Sequence, residues 1–221
     1  MTSPVSSAPI NGGASTVEAL WLETLGALCS RAAHEIKGAL NGVVVNVEVV
    51  RSRSEKPEVT GASLHQYAQS ASGQLDAVIV MTEAMLALTR PARRPLALAQ
   101  TVRNVEALVG ASARADDKQV EMQGVVDSLG STSADADVAR LVIGAAFIAA
   151  VDASSDVLCS AAPGTDAAVL CWECRGGESP GCPSMDTAVI SLAAAEGIDV
   201  RRDGPRLSIT CLLYTSDAAD E

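Results

Sequence analysis

The chain reads as α+β: a long antiparallel helical hairpin followed by an α/β sandwich. Three observations predict this. Two long segments, residues 16–53 and 62–89, keep an apolar stripe at spacings of three and four. The short break "SEKPEVTG" separates them. Beyond residue 93, short apolar runs with strand character alternate with helical patterns.

The first helix carries its stripe on Trp21, Leu25, Leu28, Ala32, Ile36, Leu40, Val43, Val47 and Val50. Pro57 and Gly61 interrupt it. The second repeats the pattern with Leu64, Ala68, Ala71, Leu75, Val78, Met85 and Leu88, and Pro91 ends it. A lone hairpin buries such stripes poorly. A symmetry mate is expected to cover both, giving a homodimeric four-helix bundle.

After the hairpin, "LALAQTVRNVEALVGASARA" predicts a helix and "KQVEMQGVV" a strand. "DADVARLVIGAAFIAAVDAS" is a helix apolar on all sides, hence buried. "DVLCSAA" and "AAVLCWEC" read as strands paired around "PGTD". "MDTAVISLAAAEG" is a third helix, and "IDVRRDGPRLSIT" a hairpin with an Asp-Gly turn. The expected result is a mixed sheet with helices on one face. No internal repeat is visible. The domains are residues 16–92 for the hairpin and 93–210 for the α/β part. Residues 1–15, rich in Ser, Pro and Gly, read as a disordered tail without the features of a signal peptide. Residues 211–221, "CLLYTSDAADE", resemble a translated sequencing-library adapter and are set apart from the evolved protein.

Composition narrows the function. Hydrophobic residues make up 48% of the chain and aromatic ones only 2%, so the core is expected to be aliphatic. A net charge of −11 argues against nucleic acid and anionic membrane as partners. The longest unbroken apolar run, Leu141 to Val151, is about half of a membrane span. A cytoplasmic location is expected. "CWECRGGESPGC" holds a CxxC and a third thiol, but no fourth ligand stands near. Buried small hydrophobes are the simpler reading of these cysteines. The acidic run "DSLGSTSADAD" reads as a solvated loop and helix cap, and Arg90, Arg93 and Arg94 as charge compensation at a helix C-terminus.

One stretch carries chemistry: "SRAAHEIKGALNGVVVNVEVV", Ser30 to Val50. At about 100° per residue, His34 points away from the stripe, toward the side that holds Arg31, Lys37, Gly38 and Asn41. A neutral imidazole is a nucleophile near neutral pH. Glu35 follows directly, a carboxylate able to fix the ring tautomer or take up a released proton. Gly38, Ala39 and Gly42 cost helix stability but leave room for a partner to approach the ring. His65 lacks an adjacent acid and reads as surface polarity.

"HEIKGALNG" resembles the phosphoacceptor box of sensor histidine kinases, typically His-Glu-(Ile/Leu)-(Lys/Arg)-(Asn/Thr)-Pro-Leu. His34, Glu35, Ile36, Lys37 and Leu40 match it. The family's order, a hairpin and then an ATP-binding α/β domain, is also that of this chain. The departures point one way. Gly38 stands where the family has the Thr or Asn that helps dephosphorylate the partner, and Ala39 replaces the proline. Ala145 and Ala149 stand at the positions of the metal- and nucleotide-binding asparagines. "RGGESPGCPS" replaces the DxGxG loop, and a glycine-rich lid is missing.

The resemblance therefore implies a kinase-like fold that has lost ATP. It is closest in kind to the intermediate histidine phosphotransferases of phosphorelays. It implies His34 as acceptor, Glu35 as its acid–base partner, and Arg31, Lys37, Gly38, Asn41 and Gly42 as the surface met by response-regulator receiver domains. No cofactor or metal is expected on this chain; Mg²⁺ would belong to the receiver. Two other readings stand beside this one. One is a divergent histidine kinase with ATP-dependent autophosphorylation. The other is a noncatalytic dimerisation or binding module.

Overall fold

The computed structural model describes residues 16–56, 58–175 and 181–214. The N-terminal tail, most of the "RGGESPG" stretch and residues 215–221 lie outside the described residues. Helix α1 spans Val17–Ser54 and α2 spans Gly61–Thr89, within a residue or so of the expected bounds. Thr16 starts α1, its hydroxyl accepting from the Ala19 amide at 3.2 Å. Arg51 and Arg53 fall in its last turn, where positive charge suits the helix dipole.

Strand β1 (Leu96–Ala97) leads into α3 (Leu98–Ala115), and β2 is Gln119–Gly124. A short strand, β3 (Ser131–Thr132), pairs antiparallel with β1. Then come α4 (Ala136–Ala153), β4 (Asp156–Pro163), β5 (Ala167–Arg175), α5 (Thr187–Ala195), β6 (Asp199–Asp203) and β7 (Arg206–Leu212). The main sheet has the order β2-β4-β5-β7-β6. Only β2 and β4 run parallel, and α4 is the crossover that such a pair requires.

Burial alternates along the central strands. Val157, Cys159 and Ala161 on β4, Ala168, Leu170, Trp172 and Cys174 on β5, and Leu207, Ile209 and Cys211 on β7 are buried. Their neighbours are more open, so helices cover one face, as the pattern predicts. Helix α4 is buried nearly all round because it lies between the sheet and α1. Aliphatic residues dominate the core, yet Phe147 and Trp172 meet edge to face inside it, centroids 5.1 Å apart.

Three expectations need correction. The stretch 127–137 is not simply solvated. Asp135 does cap α4, accepting from the Asp137 and Val138 amides, but Leu129, Thr132 and Ala134 are buried. The last hairpin turns one residue later than Asp-Gly, because Asp203 pairs with Arg206 and leaves Gly204-Pro205 as the loop. Gly204 has φ +54, which suits glycine, and proline's fixed φ suits the next position. The two thiols of the CxxC part ways, since residues three apart on a strand face opposite sides: Cys174 packs in the core as a small hydrophobe, while Cys171 lies half-buried on the other face. Judged over a window rather than an unbroken run, α2 is long and apolar enough to cross a membrane; here it packs along α1 and against α3.

The segment set apart on sequence grounds enters the sheet. Cys211 pairs with Ala168 and is buried, which pushes its thiol up to about 11. Leu213 bridges Thr132, and the Tyr214 amide donates to the Ser131 carbonyl.

Candidate functional site

Helix α1 is uninterrupted through the motif, with Ala39 continuing the helix where a proline would remove a hydrogen bond. His34 is exposed, as its phase predicts, and Lys37, Gly38 and Asn41 are exposed with it. Glu35 and Ile36 are half-buried. Neither His34 nor Glu35 makes a side-chain hydrogen bond among the described residues. Adjacent residues diverge by about 100° around a helix, so the expected Glu35–imidazole bond is not formed here. His65 is exposed near the start of α2.

The two glycines differ. A Cβ built on Gly38 would have nothing within 4 Å, so the helix surface is open there. On Gly42 it would collide with the Gln74 side-chain amide on α2. Gly42 is therefore not open to a partner; Gln74 fills its space. Asn46 completes this polar layer, the two N–H groups of its amide shared among the Gly42 carbonyl, the Ser70 hydroxyl and the Gln74 amide oxygen at 3.0, 3.2 and 3.2 Å.

The apolar stripe of α1 is split between two environments. Leu20, Trp21, Leu28 and Ala32 are buried, where α3 and α4 pack on this half of the helix. A symmetry mate is thus not needed to cover that half. Glycine at 144 permits the close approach: a Cβ there would lie 3.0 Å from Thr24 Cγ2 and 3.6 Å from both Leu28 Cδ1 and Trp21 Cζ3. Past His34 the cover thins: Ile36, Val43 and Val50 of the stripe are half-buried, Leu40 and Val47 are 43% and 53% exposed, and Val44 beside the stripe is 67% exposed. Leu75, Ile79 and Leu86 are exposed on α2.

Arg31, one turn before His34, reaches the α/β domain. Its Nη2 donates to Asp152 Oδ1, in the last turn of α4, at 2.6 Å. Below this pair a cavity of about 440 Å³ separates α1 from α4 and the segment after residue 181. Leu20, Glu23, Thr24 and Ala27 form one wall; Ala145, Ile148, Ala149 and Asp152 form another. Asp186, Met185 and Val189 close a third side. The motif had pointed to Arg31, but not to Asp152. An acid in the last turn of a helix that is apolar from Leu141 to Val151 was its signal, since the dipole disfavours negative charge there.

No protein-family description matches this chain, and no curated protein is significantly similar to it in sequence. Among solved structures, the histidine kinase AdeS of Acinetobacter baumannii matches with a TM-score of 0.39 and 15% identity, over 82% of this chain and 98% of that one. The cytoplasmic segment of the histidine kinase QseC matches with a TM-score of 0.39 and 12% identity, over 72% of this chain and 99% of that one.

Proposed function

We propose that this protein is a cytoplasmic, homodimeric histidine phosphotransfer protein of a two-component phosphorelay. His34 accepts a phosphoryl group from the aspartyl phosphate of one receiver domain and passes it to another. The observation that carries this is the exposed imidazole on the open face of α1, flanked by Arg31 and Lys37, in a box with the phosphoacceptor pattern.

In the forward step, an unprotonated ring nitrogen of His34 attacks phosphorus. A P–N bond forms as the acyl-phosphate P–O bond breaks, and the receiver carboxylate leaves with the electron pair. The proton on the other ring nitrogen is released through water toward Glu35. The reverse sequence loads the second receiver. Mg²⁺ for both steps belongs to the receiver. Open space at Gly38 lets the receiver approach, and no side chain there orients water to hydrolyse the phosphorylated partner.

The side chains present do not fit a Mg-nucleotide. At 145 and 149 the α4 wall offers methyl groups where oxygen ligands are needed. The charged groups lining the cavity, Glu23, Asp152 and Asp186, have the sign of the phosphates themselves. This weighs against ATP-dependent autophosphorylation.

The test is incubation of the chain with a phosphorylated receiver domain. Wild-type protein is expected to take up label and His34→Gln to take up none, with melting temperature and mass unchanged. Surface substitutions of this kind shift stability by about 0.5 kcal/mol or less. Label retained in His34→Gln would move the acceptor elsewhere, to His65 first. An unfolded variant would make His34 structural and remove the main support for phosphotransfer.

A further inference from the structure

The carboxylate of Asp152 accepts from Arg31 at 2.6 Å, and this is its only side-chain partner among the described residues. The pair joins positions 121 residues apart in sequence and links the last turn of α4 to the turn of α1 just before His34. Arg31 and His34 are three apart on one helix, so their Cβ atoms are neighbours, about 5–6 Å apart. Lys37 lies three residues to the other side of His34. It is exposed and forms no ion pair among the described residues. Of the two cations that flank the imidazole, one is held by the α/β domain and one is not. The Arg31 side chain is only 25% exposed, against 54% for Asp152, so the guanidinium is the more enclosed member.

We infer that Arg31 binds the phosphoryl group carried by His34, and that Asp152 is the residue that positions it. This rests on the phosphotransfer reading above. A guanidinium has five N–H donors in a rigid planar fork. Asp152 accepts from Nη2 alone, which leaves the donors on Nε and Nη1 for phosphoryl oxygens. An arginine already held in place loses less rotamer freedom when the phosphoryl arrives. A lysine ammonium has no second edge and cannot serve both anions in this way. Arg31 keeps its protons throughout, so no bond order changes at it. The α/β domain thereby gains a task that needs no nucleotide: it supplies the carboxylate that orients the cation beside the acceptor.

The experiment compares the full chain with Asp152→Asn, Asp152→Glu, Arg31→Lys and the swapped pair Arg31→Asp/Asp152→Arg. It measures the initial rate of label uptake from a phosphorylated receiver, together with melting temperature. Asp152→Asn and Arg31→Lys are expected to accept more slowly by up to about a hundredfold, the loss that a misplacement of about 1 Å can cause. Asp152→Glu is expected to recover most of the rate. The swapped pair is expected to restore the melting temperature but not the rate, because its guanidinium now starts from α4. If the swapped pair restores both, the ion pair is only a strut between domains and the inference is overturned. If Asp152→Asn accepts at the wild-type rate, Asp152 positions nothing. Should Asp152→Asn unfold, Arg31→Lys and the swapped pair decide between the same outcomes. Wild-type protein that takes no label overturns the phosphotransfer reading itself, whereas the other failures leave that reading standing.

Discussion

The Arg140 guanidinium lies over the indole of Trp21, 4.3 Å from the ring centroid. It joins three helices at once. Trp21 belongs to α1, the Arg90 carbonyl that accepts from Nη1 at 2.8 Å follows α2, and Arg140 sits on α4 with Asp137 at 2.7 Å. The last turn of α2 has no basic residue of its own. Arg140 of the next domain adds to the C-cap Arg90 by donating to the carbonyls at this helix end. Arg94 pairs with Asp135, the cap of α4. Burial pulls Arg140 below the usual guanidinium value, and Asp137 opposes that pull.

Removing Arg140 should therefore loosen the seam between the two domains. Arg140→Ala is expected to cost about 2 kcal/mol in urea unfolding, through the lost cation–π contact and the lost bond to the Arg90 carbonyl, while the half-exposed Asp137 stays solvated. Arg140→Lys should recover only part, because an ammonium cannot lie flat on the indole and reach two further acceptors. A loss below about 0.5 kcal/mol for Arg140→Ala, the range of ordinary surface changes, would show that the seam holds without it.

The same seam depends on glycine at 144. Alanine there gains helix propensity but must press on Thr24, so its net effect is small. Gly144→Leu has no such escape and is expected to cost about 1–3 kcal/mol by overpacking. Thr24→Ala removes the nearest methyl and should return part of that loss. Thermal or urea unfolding of the single and double variants measures the coupling. Purely additive effects would mean that the helices separate rather than press together.

Much of this was legible in the sequence. Helix bounds followed from long stripes ended by Pro57, Gly61 and Pro91. The wholly apolar pattern of α4 announced a helix enclosed on all sides. What could not be read was who covers whom. Leu28 and Leu40 look alike in the stripe, yet one is fully buried against the α/β domain and the other is 43% exposed. Leu28 packs against α4 at Gly144, more than a hundred residues away in sequence. Gly42 and Gly38 also look alike, but only the structure brings Gln74 over one of them. Asp152 and Arg140 were missed for the same reason: their partners lie on a different domain.

The uncovered half of the hairpin makes its own prediction. Leu40, Val44 and Val47 on α1, with Leu75 and Ile79 on α2, leave branched apolar side chains in water. On the dimer reading a second copy covers them. Val44→Glu then puts a carboxylate into that face on each copy, where it must be desolvated on association. Light scattering is expected to give a dimer mass for wild type and a monomer mass for Val44→Glu at micromolar concentration. A wild-type monomer would remove the bundle, and an unchanged dimer in the variant would place the interface elsewhere.

The last prediction concerns nucleotide. Phosphates bound through Mg²⁺ require oxygen ligands on the protein side. The α4 wall presents Ala145 and Ala149, and Glu23, Asp152 and Asp186 add negative charge around the same cavity. Leu20 and Thr24 of α1 stand across it, so the hairpin itself forms the wall that faces α4. Millimolar Mg-ATP is therefore expected to leave the melting temperature where an equal ionic strength of salt leaves it. A ligand present at a hundred times its dissociation constant would add about 2.7 kcal/mol to stability, which a thermal-shift titration reads easily. A saturable rise on that scale would return the kinase reading to first place. It would also require ligands outside the 145 and 149 positions. Ala149→Asn offers a control: one amide in an acidic, apolar-walled cavity is not expected to create binding, because the remaining ligands are still absent and the charge around it still repels phosphate.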